Sequence, residues 1–128
     1  MLRLQILGPI DLRHADGRQV EPVLAQPKRL ALLAYLAAAR PTGFHHRDTL
    51  LALFWPELEQ ARARDALNQA LRFLRTALGA GLVLSRGETV GLDGARISCD
   101  AERFIAALET GRPEDAMELY RGDLLEGF

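Results

Sequence analysis

The sequence predicts an α+β fold in which a small N-terminal antiparallel sheet is followed by three helices, a C-terminal β-hairpin and a helical pair. Apolar and polar residues alternate near the start of the chain. Between positions 27 and 78 the apolar residues instead recur every three to four positions, and after position 81 two short β-type runs flank a glycine turn. A period of two is typical of a half-buried strand, and a period of about 3.6 is typical of an amphipathic helix.

The first strand is predicted from Leu2, Leu4 and Ile6, which alternate with polar residues. Asp16-Gly17 is a strong two-residue hairpin signal, because both residue types tolerate the positive φ that such turns need. Val20 and Val23 are expected to return as another strand. The first 25 residues are therefore predicted to form a small antiparallel sheet.

Three helices are predicted next. The first begins at Pro27, where a proline in the first turn leaves no hydrogen bond unmade, and Pro41 is expected to stop it. The second covers residues 47–54. The third and longest begins near Glu59 or Gln60 and continues to position 78, where glycines follow as C-terminal breakers.

A β-hairpin is predicted from residues 82–84 and 90–92, with Arg86 at its tip. After position 99 the composition becomes helical and acidic. Asp100 occupies the place of a helix N-cap and Pro113 that of a first-turn proline. Residues 1–98 are therefore predicted to form one domain, and residues 99–128 the beginning of a second, truncated one.

Composition narrows the class of protein. The chain has 128 residues, 48% hydrophobic and 26% charged, which is typical of a globular domain. Its one cysteine, Cys99, excludes an internal disulfide and a cysteine metal cluster. The longest apolar run, residues 30–39, is much shorter than the roughly 20 residues that span a bilayer. We expect a cytoplasmic protein without membrane segments or a cofactor.

The net charge of −1 conceals a division between the two parts of the chain. Residues 1–98 contain 13 Lys and Arg against 9 Asp and Glu, a net +4. Residues 99–128 contain 3 against 8, a net −5. Asymmetry of this kind indicates two parts with different partners.

The order of sheet, three helices and hairpin is that of a winged helix-turn-helix, in which one helix enters the major groove of DNA. On a wheel of about 100° per residue, the long helix has an apolar face around Leu67 and a polar face opposite. Arginine, asparagine and glutamine are the residue types that read base edges. The candidate base contacts are Arg62, Asn68, Gln69, Arg72, Arg75 and Thr76. The candidate phosphate contacts are Lys28, Arg29, Arg47, Arg64 and Arg86.

Other interpretations stay open. The arginine face also suits an ordinary solvated helix. A winged module that binds protein instead of DNA is favoured by the acidic C-terminal segment and by an exposed Phe73, and that segment could also fold over the basic face. An enzyme lacks support, because the sequence shows neither a nucleophile with a base nor a glycine loop for phosphate. A metal site at His45-His46 is disfavoured, because adjacent residues of an extended segment point to opposite sides.

Several motifs resemble the antibiotic-regulatory activators of Streptomyces and related bacteria. The winged-helix part carries the resemblance at residues 53–56, 60–62, 67–71 and 74–79. Residues 99–104 and 119–128 are similar to the opening of that family's bacterial transcriptional activator domain, an all-helical, tetratricopeptide-like module. The chain departs from the family at His45 and His46, where an apolar and a small capping residue are commoner, and at Phe73, where the pattern tends to be polar.

The resemblance implies an OmpR-type winged helix that binds direct repeats in promoters and recruits RNA polymerase. It implies that the helix at 59–78 enters the major groove, and that the helical module serves dimerisation or effector sensing. A homodimer on double-stranded DNA and a role in transcriptional activation follow as expectations. In that setting Phe73 would contact a thymine methyl or a neighbouring protein.

Overall fold

The structure is a computed structural model that describes residues 1–40, 43–120 and 122. Its strands are β1 (Leu2–Gln5), β2 (Asp11–Arg13), β3 (His45–His46), β4 (Val83–Arg86), β5 (Thr89–Leu92) and β6 (Ile97–Cys99). Its helices are α1 (Glu21–Leu24), α2 (Pro27–Ala38), α3 (Arg47–Phe54), α4 (Gln60–Leu78), α5 (Asp100–Glu109) and α6 (Pro113–Leu119). The predicted α+β class is confirmed. The predicted helix stop at Pro41 and the last residues, 123–128, lie outside the described part.

The N-terminal sheet is mixed, with the strand order β2-β1-β6. Leu4 of β1 faces Leu12 in an antiparallel pair with β2 and faces Cys99 in a parallel pair with β6. The prediction of an antiparallel sheet is therefore right for β1 and β2 and wrong for the third strand. A parallel neighbour requires a long crossover, and here all the residues from β2 to β6 provide it.

The predicted return strand at Val20 and Val23 is wrong. Gln19 makes one isolated bridge with Arg13, and the chain then turns into the short helix α1. Pro22 explains the difference, because its ring nitrogen has no hydrogen to donate to a strand ladder, whereas the first turn of a helix tolerates it. Val23 is fully buried from this helix.

Helices α2, α3 and α4 have the predicted positions and enclose the core. Helix α4 buries one face, and Gly79 ends it with φ 102°, a backbone angle that side chains other than glycine rarely adopt. Full burial of each leucine on that face stabilises the fold by about 1.5–3 kcal/mol. The buried residues of α4 are Ala63, Leu67, Ala70, Leu71 and Leu74. The opposite face is thereby fixed toward solvent.

A second sheet has the order β3-β5-β4. The β4–β5 hairpin was predicted, but its turn lies at residues 87–88, so that Arg86 is the last residue of β4, paired with Thr89. Strand β3 adds to the free side of β5 and leads directly into α3. The Arg47 amide donates to the Glu88 carbonyl at 2.9 Å, which joins the start of α3 to the hairpin turn.

Helix α5 is joined to the N-terminal sheet through Asp100. The carboxylate of Asp100 accepts hydrogen bonds from the amides of Ile6 at 2.8 Å and Leu7 at 3.0 Å. The predicted N-cap role is wrong, because Cys99 is the N-cap and Asp100 the first helical residue. Pro113 does open α6, as predicted. The predicted domain boundary after residue 98 falls inside β6.

Candidate nucleic-acid interface

The exposed face of α4 carries most of the candidate base contacts. Arg62, Gln69, Arg72 and Thr76 are exposed, as the helical wheel predicted. Among the described residues, none of these four side chains has a hydrogen bond or an ion pair. Arg64, a candidate phosphate contact on the same helix, is likewise exposed. Their donors are therefore free to meet a ligand along one side of the helix.

Arg75 lies half-buried at the edge of this face and is held by the hairpin. Its Nε donates to the Val83 carbonyl at 3.3 Å, and its Nη2 donates to the Ser85 hydroxyl at 2.9 Å. The Nε–Nη2 edge of the guanidinium is thus occupied by β4. Arg75 connects α4 to the hairpin, a role that a helical wheel cannot show.

Arg47, the first residue of α3, reaches the same place. Its Nη1 donates to the Asn68 side-chain oxygen at 3.1 Å, and its Nη2 donates to the Ser85 hydroxyl at 3.5 Å. The carbonyl end of Asn68 is therefore engaged, whereas the rest of that exposed side chain is available. Arg47, Asn68, Arg75 and Ser85 form one polar network that joins α3, α4 and β4.

Two candidate phosphate contacts at the start of α2 have partners within the protein. The Lys28 ammonium lies 3.6 Å from the Glu57 carboxylate and 5.6 Å from the centre of the Trp55 ring. The Arg29 guanidinium lies 4.6 Å from the ring centre of Phe73. Lys28 remains exposed, so its charge is accessible. The contacts with Glu57, Trp55 and Phe73 offset the unfavourable interaction of the two cations with the positive end of the helix dipole.

The last candidate phosphate contact, Arg86, stacks on an aromatic ring of the hairpin sheet. Its guanidinium carbon lies 4.4 Å from the ring centre of Phe44. The Phe44 ring packs against Gly91. A Cβ atom at position 91 would lie 3.0 Å from that ring and 3.0 Å from the Gly43 carbonyl oxygen. Gly91 therefore leaves the space in which Phe44 supports Arg86, a role for Phe44 that the sequence pattern did not reveal.

His45, next to the hairpin, is buried with 8% exposure, and its ring centre lies 5.1 Å from that of Tyr35. Burial lowers the pKa of His45, because the charged imidazolium loses its hydration. Its Nε2 has no hydrogen-bond partner in the described structure. No group of three metal-ligating side chains occurs among residues 1–40, 43–120 and 122.

Cys99 and Trp55 are both buried. Burial raises the pKa of the Cys99 thiol, which disfavours the reactive thiolate. No helix in the described residues is both long enough and apolar enough to span a membrane.

The acidic segment is attached away from the exposed face of α4. Helix α5 packs on α2, β1 and β6, whereas α4 packs on α1, α2, α3 and β4. Arg40 pairs with Glu109 at 2.9 Å and with Glu102 at 3.9 Å. Two carboxylates of the segment are thus directed to the end of α2, and in the described residues they do not cover the arginines of α4.

Sequence reasoning missed three residues that position the candidate contacts: Ser85, Phe44 and Glu57. Ser85 carried a weak signal, because in the predicted hairpin it interrupts an apolar run and so belongs on the outer side of its strand. Glu57 precedes the long helix, where the helix dipole alone explains an acidic residue. Its pairing with Lys28 joins segments far apart in the chain, and no local pattern reports it.

No family model matches the chain. In sequence it is similar to the transcriptional regulatory protein MoaR1 of Mycobacterium bovis, with 32% identity over 117 residues, covering 86% of this chain and 36% of the relative. MoaR1 of Mycobacterium tuberculosis gives the same values. Among solved structures the chain is similar to Mycobacterium tuberculosis EmbR in complex with a low affinity phosphopeptide, with a TM-score of 0.66 and 27% identity over 98% of this chain and 37% of that one.

The chain thus spans little more than a third of the length of these relatives. The two MoaR1 relatives are named transcriptional regulatory proteins, and the resemblance of this chain to the antibiotic-regulatory activators agrees with that name. The structural likeness covers nearly the whole chain and so includes the helices after residue 99.

Proposed function

We propose that this chain is the DNA-binding part of a transcriptional regulator and that it reads promoter DNA with the exposed face of α4. The observation that carries this proposal is the pairing of two features on one helix. One face of α4 is buried in the core, and the other presents Arg62, Gln69, Arg72 and Thr76 without partners among the described residues. These residue types make hydrogen bonds with base edges and phosphates.

The arrangement of the neighbouring elements supports an OmpR-type winged helix-turn-helix. Helix α3 precedes α4 as the first helix of the motif, and the β4–β5 hairpin follows it as the wing. In this arrangement α4 enters the major groove, and Arg64 of α4 and Arg86 of the wing contact phosphates. Lys28 and Arg29 contribute less, because Glu57 and Phe73 already hold them.

The resemblance to antibiotic-regulatory activators supports the finer assignments. Residues 1–98 are the winged helix, and residues 99–128 begin a tetratricopeptide-like activator domain. The target is double-stranded DNA with direct repeats in a promoter, bound by a homodimer that recruits RNA polymerase and activates transcription. We assign no enzymatic activity and no cofactor to this part of the protein.

A protein-binding module that has lost DNA binding is the second candidate. One of its supports weakens, because Phe73 is half-buried and lies under Arg29 instead of standing free. The other support, the acidic segment after residue 98, remains, and α5 and α6 add exposed apolar residues, with Leu108 50% exposed and Met117 69% exposed. Exposed apolar residues of this kind favour contacts with protein for the helical pair, which is compatible with DNA binding through α4.

Selection of bound duplexes from a random pool tests the proposal, followed by measurement of the dissociation constant of a selected duplex at several salt concentrations. With about five phosphates neutralised, log K should fall against log salt with a slope of about −4 to −5. Enrichment of a repeated motif together with this slope is expected. Absence of enrichment, or a slope near zero, would reject DNA binding and leave the protein-binding module.

A further inference from the structure

The Ser85 hydroxyl lies between two arginine side chains. It accepts hydrogen bonds from Nη2 of Arg75 at 2.9 Å and from Nη2 of Arg47 at 3.5 Å. Two positive guanidinium groups therefore converge on one neutral oxygen, within a few ångströms of each other. Neither arginine forms an ion pair in the described part of the chain.

The hydroxyl group has donor capacity left. A serine hydroxyl has two lone pairs and one hydrogen, and the two arginines use both lone pairs. No acceptor for the Ser85 hydrogen is found among the described residues. Each arginine also keeps N–H groups beyond those already used, because a guanidinium carries five donor hydrogens. Arg47, Arg75 and Ser85 thus keep free donors at one point, whereas the acceptors beside them, the Asn68 side-chain oxygen and the Val83 carbonyl, are already engaged.

The cluster lies where α3, α4 and the β4–β5 hairpin meet. Arg47 is the first residue of α3, so its position also has the partial positive charge of a helix N-terminus. The Arg47 amide is bonded to the Glu88 carbonyl in the hairpin turn, which fixes the start of α3 against the wing. The donors are therefore held in place before any ligand arrives.

We propose that Arg47, Arg75 and Ser85 together bind one phosphodiester group of the DNA backbone. A phosphodiester carries the negative charge that the two arginines lack, and its two free oxygens accept several hydrogen bonds at once. The proposal rests on the proposed function, and it changes the role of Arg75. Instead of reading a base, Arg75 positions the wing against α4 and shares a phosphate with Arg47.

The test compares the salt dependence of duplex binding by the full chain and its variants. Two arginines on one phosphate release the counterions of one phosphate, so the double variant Arg47→Gln/Arg75→Gln should lower the magnitude of the slope by about one. Two separate phosphate contacts would lower it by about two. Base preference in the selection should stay the same, because a phosphate contact carries no sequence information.

Further variants separate charge from structure. Arg75→Lys keeps the charge and should leave the slope unchanged, whereas Ser85→Ala should weaken binding several-fold with the same slope. Arg3→Gln is the matched control, because it removes one exposed charge from β1, outside the α3–α4–hairpin junction. The melting temperature of each variant shows whether it is folded. An unchanged slope in a folded double variant, a loss of about two, or an altered base preference would overturn the shared phosphate.

Titration with inorganic phosphate separates this inference from the proposed function. The NMR signal of the Arg75 Nε–H should shift on addition of phosphate and stay in place with chloride at equal ionic strength, and Arg47→Gln should abolish the shift. Binding of duplexes without such a shift or slope change would refute the shared site alone. If no duplex binds, both the proposed function and the proposed contact with a DNA phosphate are rejected. A shift of the Arg75 signal on addition of inorganic phosphate would then indicate an anion site that does not bind DNA.

Discussion

The Arg29 guanidinium at the start of α2 stacks on the Phe73 ring of α4, with 4.6 Å between the guanidinium carbon and the ring centre. Both residues are half-buried. The contact explains an aromatic residue on the edge of a polar face, and it also gives Arg29 a partner at a helix N-terminus. Through this contact Phe73 joins α4 to α2, and its ring is already in contact with a guanidinium group instead of being free for a thymine methyl.

Replacement Phe73→Leu should lower the free energy of unfolding without changing the base preference of the protein. Leucine keeps an apolar contact with the core but has no ring for the guanidinium, and a cation–π contact contributes about 0.5–1 kcal/mol. Chemical denaturation of the four proteins in a double-mutant cycle with Arg29→Gln measures that coupling. A coupling of zero would mean that the stacking contributes nothing, and a changed base preference would return Phe73 to the DNA contacts.

Replacement Arg72→Ala should weaken binding of the selected duplex by about 1–3 kcal/mol and relax the preference at one base position. Arg72 is exposed in the middle of the polar face of α4, so its removal leaves the core intact. Repeating the duplex selection with the variant measures the effect, and Arg3→Ala serves as the charge-matched control. Selection of the same motif with undiminished preference would remove Arg72 from the base contacts.

His45 should make the protein less stable as the pH falls below neutrality. Its pKa is lowered from the ordinary value of 6.5 by burial, so the unfolded chain takes up a proton at a higher pH than the folded one does. Stability is then complete above about pH 6.5 and declines as the pH drops toward the lower pKa of the folded state. Unfolding free energies of the wild type and His45→Leu at pH 7.5 and 5.5 test this.

The leucine variant should lose part of that pH dependence, because it has no proton to take up. His46→Leu is the matched control, because it removes the neighbouring histidine, which is exposed. Equal pH dependence in the wild type and in His45→Leu would contradict the expectation.

Replacement Asp100→Ala should destabilise the fold by about 1–3 kcal/mol, because the amides of two buried residues, Ile6 and Leu7, lose their acceptor. Asp100→Asn keeps one side-chain oxygen and should lose less. Urea denaturation measures both changes. An alanine variant as stable as the wild type would show that water replaces the carboxylate at no cost.

The elements that could be predicted were those with a local period. The leucines of α4 repeat along one face and Pro27 begins a helix, so α2 and α4 followed from spacing alone. The pairing of β1 with β6 could not be predicted, because it joins residues nearly a hundred positions apart. The wheel placed Arg72 correctly on the solvent side. It could not show that Val83 and Ser85 hold Arg75, since that contact depends on how the hairpin folds back on α4.

The parallel pairing of β1 with β6 sets the order of events during synthesis of the protein. Leu2, Arg3 and Leu4 are synthesised before their partners Ile97, Ser98 and Cys99, which follow only after α3, α4 and the β4–β5 hairpin. The N-terminal sheet therefore remains incomplete until residues 97–99 have been synthesised, after α3, α4 and the β4–β5 hairpin. A nascent chain stalled before residue 97 would lack that closing strand, and it should be more open to proteases than the chain that extends past Asp100.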